Sequence, residues 1–565
     1  MMRRLLLAAL AASLLFACGQ SEQPAPSAVS PELPHYYGTL EPFAEQAIYF
    51  VMTDRFVNGD PDNDLRDQGG DYPTFDRPLE PCDGVAANVG YLGGDFRGLL
   101  DHADYIQEMG FGAVWITPIA ENPSQAFSGG SPPDCESVMT DQGKAGYHGY
   151  WAVNFHRTDP HLVSADLDFA GLTAGLREQG LLTVLDIVGN HGSPGWSMQD
   201  DQNGGFGQIH GPDGELLADH QNLEPGELNP DEQALHRWFR TEPSLAELAS
   251  LDPDNPEVVD YLADAYLRWI DQGADAFRVD TIAYMPHEFW REVADRIEQQ
   301  HPGFFMFGEV FSSDPEEIAP YTLSENGGYS VLDFPQHGPL REVFENPDSD
   351  FATLAPALFL DGAPYRNVYE LVTFYDNHDM ARLNADDAGF INAHNWLFTA
   401  RGIPVVYYGS EMGFKRGRRE HAGNRNYFGV EGINAAREHP IRQQLSRIAS
   451  VRAASPALQK GLQLMLELEG DRAAFYRVFQ TQTEQQIALV LLNKGERPED
   501  FAISEALQAG LWREALSGAE LTLGEGDSLE TTVPANDVQV WLLDAPVSDP
   551  KLIERLEGVM VTVSN

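Results

Sequence analysis

Cysteine is scarce. The chain has three in 565 residues, Cys18, Cys82 and Cys135, which excludes a disulfide-dense scaffold and a cysteine-rich zinc module. Lysine is nearly as rare (Lys144, Lys415, Lys460, Lys494 and Lys551), so arginine carries the positive charge. Positive charge is itself outnumbered, 36 basic residues against 87 acidic, for a formal net charge of -51. A surface this anionic repels nucleic acid and excludes it as a partner. It suits salty water, where self-repulsion is screened, although acidic secreted proteins share the composition. Internal repeats are absent, which excludes a solenoid. Beyond the first residues no apolar run is long enough to cross a bilayer as a helix. What is present is 42% hydrophobic content. That suffices for a sizeable core, in a length suited to one large domain and one smaller.

The first residues, MMRRLLLAALAASLLFACGQ, have the form of an export signal: two arginines, then an apolar run too short for a comfortable span. The run ends in LFAC, which resembles the bacterial lipobox. An ordinary cleaved signal or a short anchor is the plainer alternative. The lipobox implies that Cys18 is lipidated and becomes the mature N-terminus, anchoring the protein to a membrane of the cell envelope. Gly19, rather than an acidic residue, follows it, which favours the outer membrane, facing the periplasm or the surface. Cys82 and Cys135 then remain, an even pair that suggests a disulfide in an oxidising compartment. Whether they meet is not legible in the sequence.

Residues 1–18 are thus read as the signal and 19–40, rich in Pro and Ser, as a flexible tether. From 41 the chain alternates apolar strands with amphipathic helices. Strand candidates are AIYFVMTD (47–54), GAVWITP (112–118), LLTVLDIV (181–188), ADAFRVD (274–280), FFMFGEV (304–310), YSVLDF (329–334), ELVTFYD (370–376) and IPVVYYG (403–409). Eight strands alternating with helices predict an α/β fold, a parallel (β/α)8 TIM barrel over 41–190 and 257–455. A doubly wound open sheet is the alternative. Residues 191–256 are too many for an ordinary loop and predict a small inserted subdomain after the third strand. From 456 to 545 short strands separated by turn residues predict an all-β antiparallel sandwich. Residues 546–565 form a tail.

In such a barrel, chemistry gathers at the C-terminal ends of the strands. The third ends in DIVGNH, Asp186 to His191. The fourth ends in Arg278 and Asp280, the fifth in Glu309, and the seventh in YDNHD with His378 and Asp379. Arg278 and Asp280 sit two apart, so a strand points both to one face. Taken alone, that pair reads as a buried ion pair about as readily as a site. Three carboxylates at three strand ends would converge on one mouth. Two carboxyls about 5 Å apart are what double-displacement glycoside hydrolysis needs, one attacking the anomeric carbon and one protonating the leaving oxygen. An arginine beside the first keeps it ionised. A glutamate among Phe305, Met306 and Phe307 has surroundings that raise its pKa, as a general acid requires.

The strings GFGAVWITP, YHGYW, DIVGNH, AFRVD, FGEV and FYDNHD, in this order, resemble the α-amylase family of glycoside hydrolases over roughly residues 45–455. The resemblance implies an α-glucan substrate, with Asp280 as nucleophile, Glu309 as general acid/base and Asp379 as transition-state stabiliser. It implies that His191, Arg278 and His378 hold the glucose at the cleavage subsite, on the aromatic platform of Tyr150 with His148 beside it. IYFVMTDRFVNGDPDNDL, YLGGDFRG and YHGYWAVNF resemble the cyclodextrin glucanotransferase branch in particular. That branch carries a central aromatic before its LADLN motif, where this chain has Ala246, and Lys-His after the nucleophile, where it has Ala283 and Tyr284. The branch's extra starch-binding domains have no counterpart either. Hydrolysis of starch or maltooligosaccharides is therefore expected over cyclisation. A cyclodextrin-degrading enzyme, a transglycosylase and a non-catalytic glucan-binding surface protein are the alternatives. No partner chain is called for, so a monomer is expected.

NGDPDND, residues 58–64, is rich in side-chain oxygens and reads either as a solvated acidic turn or as a calcium loop. The transferase resemblance implies the second, with Asn58, Asp60, Asn63, Asp64, the Gly93 carbonyl and Asp95 holding Ca2+. Most family members bind another calcium where barrel and subdomain meet. The matching positions here are Asn190, Ser250 in place of an aspartate, and the carbonyl of Tyr284. Loss of the anionic ligand implies one calcium at the N-terminal loop and none, or a weak one, at the junction.

Overall fold

A computed structural model describes residues 36–559, apart from 138–139, 200–201, 203 and 361. The export segment, Cys18 and residues 560–565 lie outside the described residues. The barrel strands are β1 (Ile48–Val51), β2 (Ala113–Ile116), β3 (Leu182–Val188), β4 (Ala276–Asp280), β5 (Phe305–Gly308), β6 (Ser330–Val331), β7 (Val372–Thr373) and β8 (Ile403–Tyr407). All neighbours pair in parallel, in the order β6-β5-β4-β3-β2-β1-β8-β7. A bridge from Leu332 to Val372 joins the two ends and closes the ring. The (β/α)8 expectation is correct, and closure removes the open-sheet alternative.

The sequence pattern explains the closure. β1, β2, β4, β5 and β8 are buried along their whole lengths, as parallel strands with a filled interior and a helical cover must be. The covering helices carry their own signals. Pro256–Asp271 is capped by Asn255, whose side chain accepts from the Glu257 amide, and has Pro at its first turn. It buries Val258, Tyr261, Leu262, Ala265, Tyr266 and Trp269, one apolar stripe at helical spacing.

Between β3 and that helix the chain forms two small antiparallel pairs. His191–Pro194 pairs with Leu248–Ser250, and Gln208–His210 with Leu216–Asp219. The C-terminal region is antiparallel throughout, with one six-stranded and one two-stranded sheet between Leu462 and Leu543. It packs on the barrel helix Asp387–Thr399. There Trp396 meets Phe475 at 5.8 Å between ring centroids. The buried Arg477 guanidinium donates to the Thr399 carbonyl at 2.7 Å.

Two segments are more ordered than their composition suggests. Tyr37, within the expected tether, exchanges backbone hydrogen bonds with Gln480 at 3.0 Å each way, and the Thr39 amide donates to the Lys460 carbonyl. In the tail, Pro550–Val559 is a helix that buries Leu552 and Leu556.

Cys82 and Cys135, which the sequence left open, form a disulfide with Cα atoms 5.9 Å apart. It joins the loop after β1 to the loop after β2. Arg418, after β8, donates to the Cys82 carbonyl at 3.1 Å, and His421 Nδ1 lies 2.7 Å from the Ser137 carbonyl. The bond closes a loop of 53 residues, for which chain entropy predicts a stabilisation of about 4 kcal/mol. Cys82→Ser with Cys135→Ser should therefore melt below the oxidised protein in calorimetry. An unchanged melting temperature would show that the bond does not constrain the unfolded chain.

Candidate active site

The period of two along β4 turns Arg278 and Asp280 into the barrel, and the register sets Arg278 beside Asp186 on β3. Arg278 Nη1 donates to both Asp186 oxygens, at 2.9 and 3.0 Å, and to Asp280 Oδ1 at 2.7 Å. Its Nη2 lies 2.6 Å from Glu309 Oε1, just beyond the end of β5, as an ion pair. One fully buried guanidinium thus touches three carboxyls. Asp280 and Glu309 lean on its two different nitrogens, so their separation is limited to the width of that planar group and two polar contacts. That suits the roughly 5 Å spacing of double-displacement sites.

Asp186 completes the scaffold. It accepts from Trp115 Nε1 at 3.1 Å and from the Tyr150 hydroxyl at 2.8 Å. Tyr150 stacks on His378 with ring centroids 5.3 Å apart. His148 Nδ1 accepts from the Tyr150 amide at 3.1 Å. His191 opens the first strand of the insert, facing Ser250. Asp379 stands at the mouth with its side chain 32% exposed. One of its oxygens is 3.2 Å from His378 Nε2, and the other is 2.7 Å from Arg425 Nη2. Asp280, Glu309, Asp379, His148, Tyr150, Arg278 and His378 are therefore brought together, and His191 lies within electrostatic reach of Asp280.

Four further residues belong to it. Asp186 was visible in DIVGNH only as a strand-end carboxylate. Arg425, Glu420 and Lys144 form a buried relay behind Asp379. Arg425 Nη1 is 2.8 Å from Glu420 Oε1, and Lys144 Nζ is 3.0 Å from that same oxygen. Arg425 lies in EHAGNRN, a loop with no strand-end pattern, so nothing local ties it to Asp379. The one available signal was Lys144 itself, a rare lysine in a chain that uses arginine.

Burial dominates the electrostatics. It pushes the Glu309 carboxyl up to about 8, with Arg278 opposing and the charges of Asp280 and Asp379 adding. It raises Asp186 to about 7 against the pull of Arg278, and raises Asp379 against the pull of Arg425. For Arg278 burial works against the charge, but Asp186 and Glu309 outweigh it and hold the guanidinium protonated. Burial lowers His378, His148 and His191, so all three are neutral near pH 7. The site therefore offers a protonated carboxyl and neutral imidazoles side by side, an arrangement suited to acid/base work on an uncharged substrate.

The two candidate calcium sets behave differently. In the N-terminal loop, Asp95 accepts from the Gly59 amide at 3.1 Å, the Asp60 amide at 2.8 Å and Asn63 Nδ2 at 3.0 Å. Asn58 Nδ2 donates to Asp64 Oδ1 at 2.7 Å. A Cβ on Gly93 would lie 2.2 Å from Asn58 Nδ2 and 2.4 Å from Asp64 Oδ1, so all these groups converge. Asn58 Oδ1 and Asn63 Oδ1 are buried without a hydrogen-bond partner, the oxygen donors a hard cation would satisfy. Among the described residues no three His, Cys, Asp or Glu side chains form a preassembled cage, so the amide and carbonyl oxygens are essential to the fit. At the junction the set does not fit. Arg240 Nη2 donates to the Tyr284 carbonyl at 2.9 Å and its Nε to the Leu251 carbonyl at 3.0 Å. A guanidinium already occupies the ligand and repels a second cation.

Residues 50–447 match the family model described as "Alpha amylase, catalytic domain". The chain is 27% identical over 537 residues to a cyclomaltodextrin glucanotransferase of Bacillus licheniformis, covering 90% of this chain and 68% of that one. Among solved structures it is similar to a cyclomaltodextrin glucanotransferase with a three-domain ABC distribution. That match has 30% identity and a TM-score of 0.70, over 88% of this chain and 99% of the other. It is also similar to the α-amylase of Geobacillus thermoleovorans, solved with acarbose, at 25% identity and a TM-score of 0.67, over 89% and 99% of the two chains.

The Glu309 environment has a stability consequence. A carboxyl whose folded pKa is raised costs nothing below its unfolded value, near 4.5. The cost grows with pH until the folded value, about 8, is passed. Glu309→Gln should therefore raise the melting temperature by an amount that increases between those two pH values and then levels off. A gain independent of pH would mean that burial of this carboxyl is not what the protein resists.

Proposed function

Since this chain belongs to the α-amylase family, we propose that it hydrolyses the α-1,4-glucosidic bonds of starch or maltooligosaccharides with retention of configuration. In this reading Glu309 gives its proton to the glycosidic oxygen as the bond from C1 to that oxygen breaks. A carboxylate oxygen of Asp280 bonds to C1 from the opposite face. Glu309, now ionised, takes a proton from water, whose oxygen attacks C1 and returns Asp280 to a free carboxylate. Arg278 holds Asp280 in place through its Nη1. Asp379 balances positive charge at C1. Tyr150 underlies the sugar, and the neutral imidazoles of His148, His191 and His378 hold its hydroxyls. The observation that carries the reading is the sharing of Arg278 by Asp280 and Glu309. A non-catalytic glucan-binding protein has no use for that costly arrangement.

Hydrolysis over transfer rests on Ala246, a small residue where the transferase branch carries its central aromatic, and on Ala283 and Tyr284 in place of Lys-His. Domain number carries no weight either way. A cyclomaltodextrin glucanotransferase with three domains is spanned over 99% of its length by the similarity. That similarity favours glucan transfer as the second reading.

For calcium, we propose one ion held by Asn58, Asp60, Asn63, Asp64, the Gly93 carbonyl and Asp95. It would tie the loop after β1 to the segment before the helix Phe96–Asp101 and act on structure alone. Arg240 supplies the junction with a positive charge of its own. Metal analysis after dialysis should give about one calcium per chain, lost with Asp60→Ala and Asp95→Ala together. Calcium that survives the double change would refute the assignment.

Product analysis separates the two catalytic readings. With starch we expect new reducing ends on linear maltooligosaccharides, whose first-formed anomer by proton NMR is α. A β anomer would rule out the double displacement, and cyclodextrins as the main product would establish the transferase reading.

A further inference from the structure

Thr281, directly after Asp280, is in the left-handed region at φ 46° and ψ 40°. A branched side chain at positive φ is an outlier, because Cβ crowds the backbone carbonyl. Glycine or asparagine would take the turn at little cost. The turn itself is required. β4 must end at the mouth, and the next residues form a short 3-10 turn, Ile282–Tyr284, with Ile282 buried against Gly308. The threonine is not.

A threonine at the head of a helical turn ordinarily spends its hydroxyl on capping a backbone amide. This one makes no such bond. Instead Thr281 Oγ1 donates to Asp280 Oδ2 at 3.0 Å. The other oxygen, Oδ1, accepts from Arg278 Nη1 at 2.7 Å. The two donors come from opposite sides of the chain and grip different oxygens, so the carboxylate plane cannot rotate about its last torsion. Strain held beside a reacting group, with the side chain turned from its usual task onto that group, points to a functional use.

We propose that Thr281 is a positioning residue for Asp280. Its hydroxyl fixes the carboxylate plane in the orientation that faces C1, and the strained backbone is retained because no residue free of strain there delivers a hydroxyl to Oδ2. The proposal rests on Asp280 being the nucleophile. Its contribution lies in the bond-making step, where orientation counts, and not in binding the glucan.

Three variants of the full-length protein test it, with Asp280→Asn beside them and melting curves as the check on folding. Thr281→Ser keeps the hydroxyl and should stay within about twofold of the parent in kcat on maltoheptaose. Thr281→Ala keeps the Cβ and loses only the hydroxyl and methyl. It should lose about tenfold in kcat with KM unchanged, the scale of one hydrogen bond to a charged group. Thr281→Gly also frees the backbone and should follow Thr281→Ala. If the alanine and glycine variants turn over as fast as the serine variant while Asp280→Asn is inactive, the positioning role is overturned and the nucleophile stands. If Asp280→Asn itself turns over normally, the reading beneath the proposal is overturned instead.

Discussion

Arg278 is fully buried and in contact with Asp186, Asp280 and Glu309, and the architecture of the mouth follows from that contact. A lone guanidinium in an apolar interior is expensive, and so are three buried carboxylates. Together they are tolerable only if strands β3, β4 and β5 hold register, because a slip of one residue would turn Arg278 into the helical layer. The demand for register at the mouth and the closure of the barrel are the same constraint. With fewer positive charges than acids, the cluster cannot keep every carboxyl ionised. Burial, with the repulsion of Asp280 and Asp379, pushes the Glu309 carboxyl up to about 8 and leaves it protonated near pH 7.

A second ionic chain stands behind the site and is built differently. Asp379, Arg425, Glu420 and Lys144 alternate in sign, so each buried charge has a partner. Burial would raise the Glu420 carboxyl, but Arg425 and Lys144 reverse that and hold it well below the usual range. Its members come from the loops after β2, β7 and β8, the same region that the Cys82–Cys135 bond braces through Arg418 and His421. The catalytic cluster sets three carboxyls on one cation, whereas in the supporting chain, which ends on Asp141 beside Lys144, acids and cations alternate. Proton chemistry needs the first condition and a rigid wall needs the second.

The junction of barrel and insert is held by an arginine. Arg240 joins the Leu251 and Tyr284 carbonyls, binding the two parts with a charge that belongs to the chain. Asn190 Oδ1 and Ser250 Oγ remain buried without partners nearby. At the N-terminal loop the amide nitrogens of Asn58 and Asn63 donate to the carboxylates of Asp64 and Asp95, their oxygens are left without partners, and Arg66 pairs with the other oxygen of Asp64.

Much of this was legible in the residues alone. The eight strands appear in the sequence because burial on both faces leaves short apolar runs between amphipathic helices, a local signal. The period of two placed Arg278 and Asp280 on one face, and the order of strand-end carboxylates located the mouth. What the sequence could not reveal was long-range pairing. Cys82 meets Cys135, Arg425 reaches Asp379 across 46 residues, and Arg240 lies against Tyr284. None of these has a local pattern, because each partner sits on an irregular loop whose path is decided by packing rather than by periodicity. The strain at Thr281 was equally hidden, since a threonine at a strand end is ordinary until the φ angle is known. The sequence by itself determined which side chains line the barrel, because alternation along a strand is fixed by covalent geometry. Only the tertiary structure decided which charges touch, because contact between distant loops depends on the free energy of the whole packed chain.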